Sequence, residues 1–233
     1  MIIKTKKLQT TQERLSANRS RLYFLIAESF RYPDTYLQGQ ISDGNLKRAI
    51  EMLLDGLPYK ATELFQCTPH LQIKTDDIEV EFIWLFESGP GSPPCPLVEG
   101  EYTDDRMAIF KELILFYNHF GLSYAEGARD QRPDHICLEM EFLHYLTFKE
   151  VNALQKGNTV IPYIRAQRDF ISRHPSRWIP KAIKRLDQLK DNFEESKANA
   201  SVSFYRGLLK LTETFLDKEL RYLEDLIPRI EQH

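Results

Sequence analysis

Glu141 and His144 stand three residues apart in a stretch of helical period. That spacing puts a carboxylate and an imidazole on one helix face, as helix-borne metal centres require. A di-iron site of that kind needs two such pairs and two further inward glutamates. No other glutamate precedes a histidine by three in this chain. No metal site is therefore expected, and His144, eight residues after Ile136 on an apolar face, reads as a hydrogen-bonded core histidine. Arg132-Pro133-Asp134-His135 is the second constellation. Pro133 stiffens the entry to a helix and Asp134 is expected to cap it. With His135 and, one turn on, Glu139, it also offers polar groups at a helix mouth to a cationic or amide-rich ligand. An adjacent Asp-His pair is not a catalytic dyad, because no serine or cysteine nucleophile is fixed beside it. Phosphate-loop, nucleophile-elbow, zinc-protease and dinucleotide fingerprints are all missing. Cys67, Cys95 and Cys137 are widely spaced and form no Cys-x-x-Cys pair, which speaks against a disulfide framework or a zinc finger.

Between the candidate helices lies an unusual connector, Trp84 to Tyr102, rich in Gly, Ser and Pro and aromatic at both ends. Its charge is as odd as its composition. Residues 76–105 hold nine acidic side chains and no Lys or Arg, so the net charge of −3 conceals a remainder of +6. A basic ligand suits the acidic run. From Arg165 to Lys190 eight basic residues face two acids, but that stretch has no nucleic-acid docking motif and the pI is about 6.1.

Helices must position these groups. Leu15, Arg19, Leu22, Ile26 and Phe30 share one face of a first helix that stops before Pro33. Leu46, Ile50, Leu53 and Leu54 form a second. Asp76 or Asp77 is expected to cap a third through Ile78, Phe82, Leu85 and Phe86. Met107, Phe110, Leu113, Ile114 and Tyr117 form another. The helix from about His135 to Leu154 is apolar on two sides and hence central. Ser176 is expected to cap the helix of Trp178, and a long helix runs from Tyr205 to Leu226. Nothing alternates with strand period, so the fold expected is all-α: a compact multi-helix bundle in one domain, residues 1–233, with a candidate hinge at 121–133. The apolar runs are too short to cross a bilayer and no secretory signal is visible, which places the chain in the cytoplasm.

Three pieces in this order carry a resemblance. They are Glu81-Phe82-Ile83-Trp84-Leu85-Phe86 with the loop Gly89 to Tyr102; Pro133-Asp134-His135 with Glu139 and Phe142-Leu143; and His174 with Trp178. Together, over roughly Leu15 to Leu226, the chain resembles the TorD/DmsD/NarJ family of molybdoenzyme assembly chaperones and its TorD-like bundle. The resemblance implies a protein without catalysis. Its partner would be the apo catalytic subunit of a respiratory molybdoenzyme of the dimethyl sulfoxide reductase type, held until cofactor insertion, often by its twin-arginine leader.

Carried onto this chain, the resemblance implies that the Trp84–Tyr102 loop and the Asp134-His135 mouth bind the client. Two arginines would find carboxylates among Glu99, Glu101, Asp104, Asp105 and Asp134. The leader's apolar stretch would lie along Trp84, Leu85, Phe86, Pro96, Leu97 and Tyr102. Gly89, Pro133, His135, Glu139, Phe142, His174 and Trp178 complete the candidate set. No cofactor, nucleic-acid partner or membrane insertion is expected. A monomer is expected, with a helix-swapped dimer across the hinge as the alternative. Two other readings remain open: a maturation factor whose basic run takes the phosphates of a guanine nucleotide or of molybdopterin guanine dinucleotide, and a non-catalytic helical scaffold.

Overall fold

The structure, a computed structural model, describes residues 10–74, 77–88, 92–123, 132–190 and 198–232. Among these it is all-α. The helices are α1 (Thr11–Ser29), α2 (Thr35–Ser42), α3 (Asn45–Leu54), α4 (Thr62–Phe65), α5 (Ile78–Phe82), α6 (Arg106–His119), α7 (Ile136–Lys156), α8 (Ile161–Arg173), α9 (Pro175–Lys190) and α10 (Ala198–Glu231). A π-helical turn, Ile83–Glu87, continues α5, and a 3₁₀ turn, Glu99–Glu101, precedes α6. The extended pairing among the described residues is one isolated antiparallel bridge, Val98 with His135. Of the candidate hinge, residues 124–131 lie outside the described set.

Local chemistry explains the element ends. Thr10 caps α1 by accepting the Glu13 N–H at 3.1 Å, in the Thr-x-x-Glu spacing of a capping box. Asp105 caps α6 through the Ala108 N–H at 2.9 Å. Gly157 closes α7 with φ +66°, a left-handed conformation that costs glycine little. Three expected caps are corrected. At α7 the cap is His135, whose Nδ1 accepts the Cys137 N–H, because the Asp134 carboxylate is turned onto Gly100 instead. Helix α9 starts at Pro175, so Ser176 lies inside it; proline brings no N–H that would need a cap. Asp77 occupies the cap position of α5 but makes no side-chain cap bond, and Asp76 lies outside the described residues.

As its two apolar faces imply, α7 is central: it packs lengthwise on α1 and against α8, while α10 spans α8 and α9. A buried polar cluster fixes this arrangement. Arg19 of α1 is fully buried. Its Nε donates to both Glu219 oxygens at 2.8 and 3.0 Å, its Nη1 to Glu150 at 3.2 Å, and its Nη2 to Gln167 at 2.6 Å. Ser16 donates to Glu150, and Tyr23 and Tyr59 donate to Glu219. Four helices thus share one hydrogen-bonded core ion cluster. His144 is hydrogen-bonded to Ser20 of α1 as expected, but it is half-buried rather than a core residue.

Candidate functional site

The helix that leads into the Pro-rich loop has two opposite characters. Its inner side, Phe82, Leu85 and Phe86, is buried, and the Phe86 ring meets Tyr205 edge-on at 4.8 Å. Its outer side carries Val80 (66% exposed), Ile83 (38%) and Trp84 (37%). These positions, with exposed Glu87 one turn further, have the i, i+3, i+4, i+7 spacing of a single stripe. Glu79 flanks it, one oxygen accepting from Gln38 Nε2 at 2.6 Å, whereas the Glu81 carboxylate is partly buried and turned toward Ser201 of α10. Exposed Tyr32 packs its ring edge-on against Phe82 at 5.8 Å, near Glu79 and Glu87. The result is an apolar face framed by carboxylates.

The second half of the loop is an internal strut. The Cys95 N–H bonds Leu85 O at 2.8 Å, and the Ile136 N–H bonds Leu97 O at 2.9 Å. Pro96 and Leu97 are buried. Leu85, Phe86, Pro96 and Leu97 therefore form core rather than the exposed groove expected of them. Burial pushes the Cys95 thiol up to about 11, so it stays protonated between its contacts to Tyr102 Oη and Ala182 O.

At the turn Glu99–Glu101, Gly100 lies directly on Asp134. The Gly100 N–H donates to Asp134 Oδ2 at 2.8 Å, and the Glu99 N–H donates to Asp134 O at 2.9 Å. A Cβ on Gly100 would stand 2.8 Å from both Asp134 Oδ2 and Arg106 Cγ, so any larger residue would force these side chains to shift. Arg132 grips the Asp134 carboxylate with Nε at 3.0 Å and Nη2 at 2.8 Å, its guanidinium over the Phe110 ring. Asp134 is completely buried, and Tyr117 donates its hydroxyl to buried Pro133 O.

Deeper in, a chain of polar groups joins the turn to three helices. His174 Nδ1 lies 2.9 Å from Glu99 Oε2, and the Trp178 indole N–H donates to Glu139 Oε2 at 3.0 Å. Glu99, Glu139, His174 and Trp178 are each at most 3% exposed. Phe142 is buried among Phe116, Tyr117 and Phe170. Burial and the facing Glu99 carboxylate push the Glu139 carboxyl well above the usual carboxylate range, against the indole bond, which lowers it. Burial drives His135 down to about 4, despite Asp134, so its ring is neutral near pH 7.

Tyr102 ends the loop, stacked on Trp178 at 5.3 Å between ring centres. The basic run meets the acidic one here. Lys181 Nζ donates to Tyr102 O at 2.8 Å, and the Arg185 guanidinium sits over the Tyr102 ring at 5.0 Å. The two runs are therefore not independent: Lys181 and Arg185 of the basic stretch hold the end of the acidic one.

The structure thus divides the candidate set. Glu99, Asp134, Glu139, Phe142, His174 and Trp178 are internal, joined through side chains that would have to leave the core to touch a ligand. Glu101 is partly exposed and paired with Arg106 and Arg132. Asp104 and Asp105 are exposed and His135 is half-buried. Gly89 lies outside the described residues. The outward partners Tyr32, Val80 and Ile83 were not in the candidate set; the stripe spacing could have found Val80 and Ile83, but not Tyr32, which follows the end of α1. Among the described residues no group of three or more His, Cys, Asp or Glu is placed to hold a metal ion. No helix among them is long and apolar enough to cross a membrane.

Comparison with known proteins places this architecture. Residues 49–184 match the family model described as "Nitrate reductase delta subunit". The chain is 32% identical to the perchlorate reductase assembly chaperone protein of Dechloromonas aromatica, over 88% of this chain and 89% of the relative. It is 32% identical to the selenate reductase assembly chaperone protein of Thauera selenatis, over 71% and 75%. Chaperone protein TorD of Vibrio cholerae shares 22% identity over 83% and 80%. The chain belongs to the nitrate reductase delta subunit family, the TorD/DmsD/NarJ-type redox-enzyme assembly chaperones.

Proposed function

We propose that this chain is a cytoplasmic, non-catalytic chaperone dedicated to one molybdenum-dependent reductase. It binds the apo catalytic subunit, engages that subunit's twin-arginine leader, and delays export until the molybdenum cofactor is inserted. The similarity to perchlorate and selenate reductase chaperones favours an oxyanion reductase as the client. One observation carries the leader reading: the exposed Val80–Ile83–Trp84 stripe with Tyr32, framed by Glu79 and Glu87. A leader is a pair of arginines followed by an apolar stretch. Carboxylates beside an exposed aromatic face offer both halves a complement. Asp104 and Asp105 add exposed carboxylates just beyond the loop. The buried members of the candidate set act by holding that loop in place.

The test is calorimetric titration with a synthetic leader peptide, beside a version in which both arginines are lysines. We expect tighter binding of the arginine form, a loss of about tenfold or more in Trp84→Ala with unchanged helicity, and weakening with salt. Equal affinity for both peptides, or wild-type binding by Trp84→Ala, would overturn the leader reading.

A further inference from the structure

Two carboxylates, Glu99 and Glu139, face each other in the core and Glu139 lacks a cation. Glu139 Oε2 accepts the Trp178 indole N–H at 3.0 Å. Its other oxygen, Oε1, is buried and among the described residues meets no N–H or O–H donor. The Glu99 carboxylate, whose Oε2 is engaged by His174, is the carboxylate that acts most strongly on Glu139. The surrounding groups offer no relief. Asp134 adds a further negative charge, and Arg132 is spent on Asp134. Tyr117 approaches from α6, Trp178 comes from α9 and His174 from the end of α8. His135 precedes α7, and its neutral ring brings no charge. Two ionised carboxylates cannot bond to each other, whereas a carboxylic acid and a carboxylate form a strong hydrogen bond.

We propose that Glu139 is a positioning residue that keeps a proton and shares it with Glu99, so that a carboxyl–carboxylate hydrogen bond latches the Glu99–Glu101 turn to α7 and, through Trp178, to α9. The turn carries Glu101 and leads into Asp104 and Asp105. Any consequence for client binding rests on the function proposed above; the latch does not.

The latch has a definite pH sign. A carboxyl that holds its proton more tightly when folded makes the native state the greater proton binder above the ordinary carboxylate range. Its contribution to stability therefore falls as pH rises towards its own folded value. Urea unfolding of the wild type and of Glu139→Gln, from about pH 5 to about pH 7, isolates this group. The amide N–H of the glutamine stands in for the shared proton, and its oxygen still accepts the indole N–H. Relative to the variant, the wild-type folding equilibrium constant should fall close to tenfold per pH unit. Parallel pH profiles would overturn the proposal. Infrared spectra of the wild type give a readout that needs no variant. A carboxylic-acid C=O band persisting near pH 7 is expected, and its absence would equally refute the latch. Neither measurement uses a leader peptide, so failure here and failure of the leader titration are separate results.

Discussion

Asp134 separates a binding role from a scaffolding one. Its carboxylate is completely buried, accepts the Gly100 N–H at 2.8 Å and is gripped by Arg132. Asp134→Ala leaves a buried backbone donor without an acceptor, at about 1–3 kcal/mol. The Arg132 side chain is 35% exposed and can turn to water, so the lost ion pair adds only about 0–1 kcal/mol. The total is roughly 1–4 kcal/mol, a sizeable part of the about 5–15 kcal/mol that holds a domain of ordinary stability. Asp134→Asn retains one oxygen for the Gly100 N–H and should cost about half as much. Urea denaturation followed by far-ultraviolet circular dichroism measures both. The reasoning fails if Asp134→Ala stays within about 0.5 kcal/mol of the wild type while losing leader binding. That result would make the carboxylate a ligand contact rather than a structural brace.

Gly100→Ala should destabilise to a similar degree, because the new methyl meets the Asp134 carboxylate and Arg106; equal denaturation midpoints would contradict the close approach. Arg19→Met strands Glu150 and Glu219 in the core and should cost about 3–5 kcal/mol. Adding Glu150→Gln and Glu219→Gln should recover part of that loss in the same unfolding assay. His135 titrates in the opposite sense to Glu139. Held near 4 when folded and near 6.5 when unfolded, it contributes stability that is lost as pH falls between those values. Acid unfolding of His135→Gln should therefore show a shallower loss across that window than the wild type.

The bundle was legible because its helices are long and their apolar positions repeat cleanly, as in α1, α7 and α10. Helix α8 was not expected: the inward position between Ile164 and Ile171 is Gln167, a member of the buried polar cluster, so its stripe is not wholly apolar. The motif residues were legible as a set but not as to which way they face. Acidic side chains near a loop suggest a surface, yet Glu99, Asp134 and Glu139 are inside. Their partners, Gly100, His174 and Trp178, come from distant parts of the chain, and sequence spacing does not report that. Trp84 and Phe86 sit two residues apart in one motif, one exposed and one buried. Helical period puts residues two apart on opposite faces, so that division was legible in the spacing once the segment was read as a helix with one face outward.

The central claim is that the chain serves one molybdenum-dependent reductase before its export. Affinity purification of the full chain from its native host grown anaerobically, with mass-spectrometric identification of what co-purifies, tests this directly. The account predicts a molybdoenzyme catalytic subunit, free of cofactor and still bearing its twin-arginine leader, retained by the wild type and reduced with Trp84→Ala. Recovery of general chaperones alone, or of a mature cofactor-loaded enzyme without its leader, would contradict it.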